Sequence, residues 1–285
     1  MLKRLLYLLL FAPLVFLLSC KKEDLKSPTA SFMVVSDVAV STIQAQQGAP
    51  SHRITDIWFY VNGKYQGAYP VGKVMPIVAE GETEVILLPG IKNNGISSTR
   101  MPYPFYKGVK FNQVFEAGKT YTISPTFEYQ SGLNFFMDDF EGAGSVFQSV
   151  GDSAYMLVSN PALTYGGTGK SLFMGMSDAK PTAKMLSSIP INLPLSGNTI
   201  YLELDYKCNQ EIIVGVVGYS NGTNDSDREA VVLTPTEGWN KIYVQLTTVV
   251  NVQPTFGAYK VFIKATKKVT NPEIYIDNVK LIYPQ

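Results

Sequence analysis

Residues 201–209 read YLELDYKCN, and this stretch decides the fold class of the chain. Apolar and polar residues alternate strictly along it, which is the period-two pattern of a β-strand with one buried face. The apolar face holds Leu202, Leu204, Tyr206 and Cys208, and the polar face holds Glu203, Asp205, Lys207 and Asn209. We therefore expect Cys208 to be a small buried hydrophobic residue rather than a reactive thiol.

The rest of the second half repeats this strand signal. One run is apolar throughout, as in a strand covered on both faces, and two further runs alternate again: residues 212–219, 241–246 and 259–265. In the last strand the apolar positions change parity between Ile276 and Val279, which predicts a β-bulge near Asp277-Asn278. Long apolar stripes of helical period are missing from the sequence, so we predict an all-β chain.

The first half also predicts strands. About seven short β-rich runs fall in residues 31–129, and Asn62-Gly63 is a strong hairpin signal between two of them. This spacing is typical of a small β-sandwich, of the Ig-like or transthyretin-like kind. One long connection, residues 91–107, holds Tyr103, Phe105 and Tyr106 between prolines. It is either a functional loop or a crossover whose aromatic side chains pack against the sandwich.

The N-terminus carries an export signal. Lys3 and Arg4 precede an apolar run that is too short to span a bilayer, and the run ends in Leu17-Leu18-Ser19-Cys20. This ending resembles the lipobox of bacterial lipoproteins, which implies cleavage between Ser19 and Cys20 and a lipid on Cys20. We expect a signal peptide over residues 1–19 and a lipidated tether over residues 20–30, so that the lipid anchors the protein to a membrane.

The residues after Cys20 indicate where the protein is displayed. Lys22-Glu23-Asp24 resembles the signal that sends lipoproteins of Bacteroidetes-type bacteria to the outer face of the outer membrane. The first domain, residues 31–129, resembles the N-terminal domains of such lipoproteins through residues 89–96 and 103–106, and no activity comes with that resemblance. The alternative location is the periplasmic face of the same membrane.

Residues 131–285 resemble a jelly-roll domain of the carbohydrate-binding, galactose-binding-like kind. The resemblance rests on four short motifs: Asp139-Phe140-Glu141-Gly142, Gly169-Lys170-Ser171-Leu172, Gly238-Trp239-Asn240-Lys241 and Ile276-Asp277-Asn278-Val279. It implies a structural Ca²⁺ that joins the opening segment to the last strand through Asp139 or Glu141 together with Asp277, since Ca²⁺ prefers oxygen ligands. The alternative is that Asp277 only forms hydrogen bonds across the strands.

Composition excludes several function classes. The 24 basic and 23 acidic residues give a net charge of +1 without a basic stripe, so nucleic acid is not an expected partner. The single histidine, His52, lies in a polar loop, and neither His pairs nor Cys pairs suggest zinc. No pair of carboxylates is placed across a cleft by the sequence. We predict a protein that is not an enzyme and has no cofactor apart from calcium.

Four aromatic residues of the second half alternate with inward-facing residues and are predicted to point outward: Tyr201, Tyr243, Phe262 and Tyr275. Aromatic faces stack on sugars, so these four are the predicted glycan-binding residues. The resulting hypothesis is a surface lipoprotein that acts as a non-catalytic carbohydrate-binding or adhesion module for a polysaccharide or other glycan. The main alternative is a structural subunit of an envelope complex, in which these rings bury against protein, and the third is a glycan-degrading enzyme.

Overall fold

The structure is a computed structural model and describes residues 29–79 and 81–285. These residues form 21 strands, two short helices, α1 (Gln44–Gln47) and α2 (Thr247–Asn251), and one 3₁₀ turn (Tyr165–Gly167). The predicted all-β class is confirmed. The signal peptide, the Ser19-Cys20 cleavage site and most of the tether lie outside the described residues.

Ten strands precede residue 130 and form three sheets. They are β1 (Ser31–Val35), β2 (Ala39–Ser41), β3 (Asp56–Val61), β4 (Lys64–Pro70), β5 (Val74–Ile77), β6 (Gly81–Lys92), β7 (Arg100–Pro102), β8 (Val109–Phe115), β9 (Thr120–Ile123) and β10 (Thr126–Glu128). The largest sheet, which we call the N sheet, has the order β4-β3-β6-β7, and β8 also pairs with β6. The smaller sheets are β5-β1-β9 and β10-β2. The pairing of Val61 with Lys64 confirms the hairpin predicted at Asn62-Gly63.

Eleven strands follow residue 130 and form two sheets. They are β11 (Leu133–Asp138), β12 (Phe147–Ser149), β13 (Met156–Val158), β14 (Ser171–Met174), β15 (Thr182–Ser187), β16 (Tyr201–Cys208), β17 (Ile212–Ser220), β18 (Thr223–Leu233), β19 (Asn240–Gln245), β20 (Ala258–Thr266) and β21 (Ile274–Pro284). One sheet, the interface sheet, has the order β13-β14-β21-β16-β19 with β11 also paired to β21. The other, the far sheet, has the order β12-β15-β20-β17-β18. The two sheets enclose one apolar core, which is the predicted jelly-roll sandwich.

The alternation of β16 holds in the structure. Its apolar face packs into the core between the two sheets, and Cys208 is buried there as predicted. The last strand also behaves as predicted: its pairing with β16 shifts register between Glu203 and Asp205, opposite the Asp277-Asn278 segment. Because of this bulge, Ile276 and Val279 both reach the core despite their different parity.

The two halves of the chain share a second apolar cluster. Most of its residues belong to the first half, but Tyr201, Tyr243 and Ile282 reach it from the outer face of the interface sheet. The first half therefore packs directly on the jelly roll, and the division of the chain into domains 31–129 and 131–285 stays a prediction. Among the described residues, no helix is long and apolar enough to cross a membrane.

Candidate functional site

Tyr201 and Tyr243 point outward from the interface sheet as predicted, but protein covers them. Their exposed fractions are 0% and 1%. The ring of Tyr103, from the first half, lies 5.2 Å from the ring of Tyr201 and 4.8 Å from that of Tyr243. The structure thus corrects their assignment as glycan-binding residues, because no ring face is left open for a sugar. Alternation identifies the face of a strand and does not say what covers that face.

Phe262 is also removed from the predicted glycan platform. It lies on the outer face of the far sheet, yet its exposed fraction is 0%. The ammonium groups of Lys184 and Lys264 lie 4.9 and 5.2 Å from its ring centre. Both lysines are held there by Asp227, at 2.6 and 3.0 Å. The two ion-paired lysines therefore cover, through cation–π contacts, the face of the Phe262 ring that a sugar would need.

Tyr275 is buried as well. It lies in a cross-strand row on the interface sheet, between Phe173 and Lys207. Its ring packs at 5.1 Å against Phe173, and the ammonium of Lys207 lies 5.8 Å from the ring centre. These neighbours bury Tyr275, so it also lacks an open face for stacking.

A buried polar network joins the two halves beside Tyr243. The carboxylate of Glu203, which is fully buried, accepts hydrogen bonds from the hydroxyls of Tyr103 at 2.7 Å and Tyr129 at 3.0 Å. It also forms an ion pair with Lys241 at 3.1 Å, and Lys241 donates to the hydroxyl of Ser51. Burial and the Glu203 charge raise the pKa of both tyrosines well above the usual value, so both hydroxyls remain donors.

This network decides between the two explanations for residues 91–107. Tyr103, Phe105 and Tyr106 are all buried, and Tyr103 and Phe105 contact the ring of Tyr201 edge-on. The aromatic side chains of this connection therefore pack between the halves of the chain. Their role is to hold the two halves in one arrangement.

An exposed aromatic surface lies elsewhere, on the outer face of the N sheet. Tyr65 on β4 is 51% exposed, and its ring packs at 5.3 Å against both Trp58 and Tyr60 of β3. Trp58 and Tyr65 are stacked with 29° between their planes. We call Trp58, Tyr60 and Tyr65 the aromatic cluster. It presents ring surface on an open sheet face, which the four predicted residues do not.

Two members of the aromatic cluster, Tyr60 and Tyr65, belong to a row that crosses the N sheet. Tyr65 pairs with Tyr60, Tyr60 with Ile86 on β6, and Ile86 with Lys110 on β8. Lys110 forms a 2.6 Å ion pair with Glu84. Four strands span about 14 Å at the usual strand spacing. The row thus combines stacking surface at one end with charged hydrogen-bonding groups at the other.

The sequence contained the signal for this cluster. In residues 57–61, Ile57, Phe59 and Val61 take the buried face, so the same alternation directs Trp58 and Tyr60 to the opposite face. The tight hairpin at residues 62–63 then brings Tyr65 opposite Tyr60. The alternation that predicts outward-facing aromatic residues in the second half therefore also predicts them in β3.

The residues predicted to hold calcium line one cavity. Asp139, Glu141 and Asp277 border a space of about 160 Å³ together with Tyr165 and Asn278. Burial, with a smaller contribution from neighbouring carboxylates, raises the pKa of Asp277 to about 7. A carboxylate destabilised in this way suits a cation.

The geometry of that cavity meets the calcium prediction only in part. Among residues 29–79 and 81–285, no three His, Cys, Asp or Glu side chains are arranged to hold a metal ion. Asp277 already accepts hydrogen bonds from the Ser171 hydroxyl and from the backbone N–H of Asn278. Carbonyl or amide oxygens would have to complete any Ca²⁺ site, which is chemistry that Ca²⁺ accepts. The calcium site stays a prediction.

Comparisons with known proteins gave structural similarity alone. No family model matches the chain, and no curated protein matches it. Among solved structures, it is similar to a family 11 carbohydrate-binding module from Clostridium thermocellum in complex with a β-1,3-1,4-mixed-linked tetrasaccharide, at 16% identity, covering 52% of this chain and 94% of that one, with a TM-score of 0.38.

Two further similar structures are a family 29 carbohydrate-binding module complexed with mannohexaose and a cleaved adhesin domain of Lys-gingipain. The first has 12% identity, covers 53% of this chain and 91% of that one, and gives a TM-score of 0.35. The second has 13% identity, covers 52% of this chain and 98% of that one, and gives a TM-score of 0.37.

Proposed function

We propose that this protein is a non-catalytic carbohydrate-binding or adhesion module whose sugar-stacking surface is the aromatic cluster of Trp58, Tyr60 and Tyr65. The observation that carries the proposal is the half-exposed ring of Tyr65, held between two other aromatic rings on an open sheet face. The C–H groups on one face of a pyranose ring pack favourably on such a surface. The ligand class is therefore a polysaccharide or other glycan.

Polar groups near the cluster would orient the bound sugar. Lys110 lies at the far end of the same row, its ion-pair partner Glu84 lies on β6 two residues from Ile86, and Asn112 on β8 donates to Glu82 at 3.2 Å. Hydroxyl groups of a glycan can form hydrogen bonds with such carboxylate, ammonium and amide groups. The length of the row suits an oligosaccharide segment rather than a single sugar.

The proposal includes a location. The lipobox-like Leu17-Leu18-Ser19-Cys20 supports a lipid anchor on Cys20, and Lys22-Glu23-Asp24 supports export to the outer membrane surface, as in Bacteroidetes-type lipoproteins. Many copies anchored on one surface would bind a polymer with higher avidity than one copy does. This support comes from sequence, since these residues lie outside the described part of the chain.

The test is retention of the full-length protein, purified in detergent, on a panel of immobilised polysaccharides. We expect Tyr65→Ala to weaken binding about tenfold, or about 1.4 kcal/mol, while Tyr219→Ala, a partly exposed tyrosine on the far sheet, leaves it unchanged. Tyr65 is exposed, so its replacement should spare the fold. Binding that survives Tyr65→Ala, or no retention by any glycan, would refute the proposal, and release of reducing sugar would point to an enzyme.

A further inference from the structure

A groove of about 580 Å³ lies at the edge of the interface sheet, away from the aromatic cluster. We call it the edge groove. Phe173 lies in its lining together with three other large apolar residues, Met156, Met176 and Pro272. Met156 is 58% exposed, although an apolar side chain in that position gains stability only when something covers it. The volume falls in the range of sites that bind small molecules.

Residues on the neighbouring strands fix the position of Phe173 in the groove. Phe173 pairs with Met156 on one side and with Tyr275 on the other, and it packs against the Tyr275 ring at 5.1 Å. Gly175 leaves room beside the ring, because a Cβ there would lie 2.9 Å from the Phe173 side chain. The ring is therefore fixed with open space next to it.

One wall of the groove is a tight turn, residues 177–180, pinned at two points. The Ser153 hydroxyl donates to the carbonyl of Lys180 at 3.0 Å. Asp178 forms a 2.8 Å ion pair with Lys267, and this pair lowers the pKa of the Asp178 carboxyl. Ser177 and Lys180 also exchange backbone hydrogen bonds across the turn. The wall is thus preformed.

The other wall, residues 271–273, is clamped by a single side chain. Asn209 donates to the carbonyl of Asn271 at 2.8 Å and accepts from the backbone N–H of Glu273 at 2.9 Å. Because both walls are fixed before any ligand arrives, a ligand would not have to supply the free energy of ordering them.

Each wall carries one exposed charged side chain without an ion-pair partner among the described residues. Lys180 and Glu273 line the groove, and within residues 29–79 and 81–285 neither takes part in an ion pair. The hydroxyls of Ser153 and Ser177 are already used within the structure, in hydrogen bonds to Lys180. The groups that remain for a ligand include one ammonium and one carboxylate on different walls, on either side of an apolar floor, and the side-chain amide of Asn271.

We propose that the edge groove binds a short peptide segment of a partner protein, with an apolar side chain on Phe173 flanked by one acidic and one basic residue. The apolar side chain would cover Met156 and Met176, whose flexible thioethers adapt to different shapes. The acidic residue pairs with Lys180 and the basic residue with Glu273. A neutral glycan would offer an ion-pair partner to neither Lys180 nor Glu273, so the groove fits a peptide better. This site is independent of the aromatic cluster.

The test is titration of the full-length protein in detergent with fluorescently labelled pentapeptides. The probes are Gly-Asp-Leu-Lys-Gly, its charge-reversed order Gly-Lys-Leu-Asp-Gly, and Gly-Asp-Gly-Lys-Gly, which lacks the apolar side chain. We expect one of the two leucine peptides to bind saturably, with an affinity at least tenfold higher than that of the glycine peptide. Lys180→Glu combined with Glu273→Lys should exchange the preference between the two charge orders.

Met156→Asp provides the matched variant, because Met156 is exposed and its replacement leaves the core intact. It should weaken peptide binding at least tenfold, whereas Val252→Asp, which places the same charge at another exposed apolar position, should not change it. The proposal is overturned if leucine peptides bind no better than the glycine peptide, if Met156→Asp has no effect, or if a polysaccharide displaces the peptide from the groove.

Discussion

The hydroxyl of Tyr103 donates a 2.7 Å hydrogen bond to Oε1 of Glu203, and through this contact the first half of the chain reaches a fully buried carboxylate on the jelly roll. Lys241 neutralises the same carboxylate at 3.1 Å. A buried ion pair of this kind contributes little net stability, but removing one partner leaves the other charge buried and uncompensated. The relationship therefore fixes how the two halves pack.

Glu203→Gln should lower the free energy of unfolding by about 3–5 kcal/mol, because Lys241 then remains buried without a counter-charge. The control is Glu128→Gln, since the Lys107–Glu128 pair is more than half exposed and contributes about 0–1 kcal/mol. Urea unfolding of both variants, followed by tryptophan fluorescence, measures the difference. Equal stability of the two variants would contradict the role assigned to Glu203.

Strand periodicity predicted which residues share a face, and the structure shows where that information ends. Tyr243 and Trp58 both alternate with inward-facing neighbours, and both lie on the outer face of their sheet. Tyr243 is nevertheless buried, because Tyr103 arrives from 140 positions earlier in the chain, while the face with Trp58 and Tyr65 stays open. Contacts between distant segments decide exposure, and no local pattern encodes them.

The calcium residues illustrate the same limit. Asp139 and Asp277, which the motifs predicted as calcium ligands, lie beside one cavity. The motifs did not predict that the Ser171 hydroxyl and the backbone N–H of Asn278 would each donate a hydrogen bond to Asp277. Hydrogen-bond partners depend on side-chain positions that spacing alone does not determine.

Gly90→Ala should disturb the aromatic cluster by displacing the side chain of Trp58. A Cβ at position 90 would lie 3.0 Å from Cδ1 of Trp58 and 3.0 Å from the Asp56 carbonyl, so the indole has to shift. We expect a loss of about 1–3 kcal/mol in unfolding free energy and weaker retention on any polysaccharide that the wild type binds. Gly144→Ala is the control, because open space surrounds its Cβ position. Unchanged retention by Gly90→Ala would show that the position of Trp58 does not matter for binding.

Asp277 should make the protein less stable as the pH rises. Burial raises its pKa in the folded state from 3.8 to about 7, so the folded state binds this proton more tightly than the unfolded chain does. The resulting stability is present below pH 3.8 and is lost as the pH rises through 7, by about 4 kcal/mol in total. Asp277→Asn should therefore stabilise the protein at pH 8 and have little effect near pH 3.5. Unfolding curves in EDTA at both pH values measure this, and an equal effect at the two would contradict it.

Lys280 should make the protein more stable as the pH rises. Burial and, to a smaller extent, the charge of Lys241 lower its pKa to about 7, against attraction from Glu203, Asp205 and Asp139. The unfolded chain binds this proton more tightly, so stability increases as the pH rises from 7 towards 10.5. Lys280→Met should stabilise the protein at pH 6.

The expected gain for Lys280→Met is about 3 kcal/mol. The lowering of the Lys280 pKa from 10.5 to about 7 corresponds to about 5 kcal/mol of destabilisation. Loss of the hydrogen bond from Nζ to the carbonyl of Ala49 offsets about 1–2 kcal/mol of this gain. The gain should shrink between pH 7 and pH 10. A Lys280→Met variant that is less stable than the wild type at pH 6 would show that the ammonium is well compensated where it lies.

Calcium should raise the melting temperature of the protein, and the rise should be larger at pH 8 than at pH 5.5. The reason is competition: a proton and Ca²⁺ both neutralise Asp277, and with a pKa of about 7 the proton prevails at the lower pH. Asp277→Asn should abolish the effect of Ca²⁺, whereas Glu237→Gln, an exposed carboxylate outside the cavity, should not. Thermal unfolding in Ca²⁺ and in EDTA at both pH values measures it. Identical melting temperatures with and without Ca²⁺ at pH 8 would contradict the calcium site. Asp277 would then only form hydrogen bonds, with Ser171 and Asn278, which is the alternative stated in the sequence analysis above.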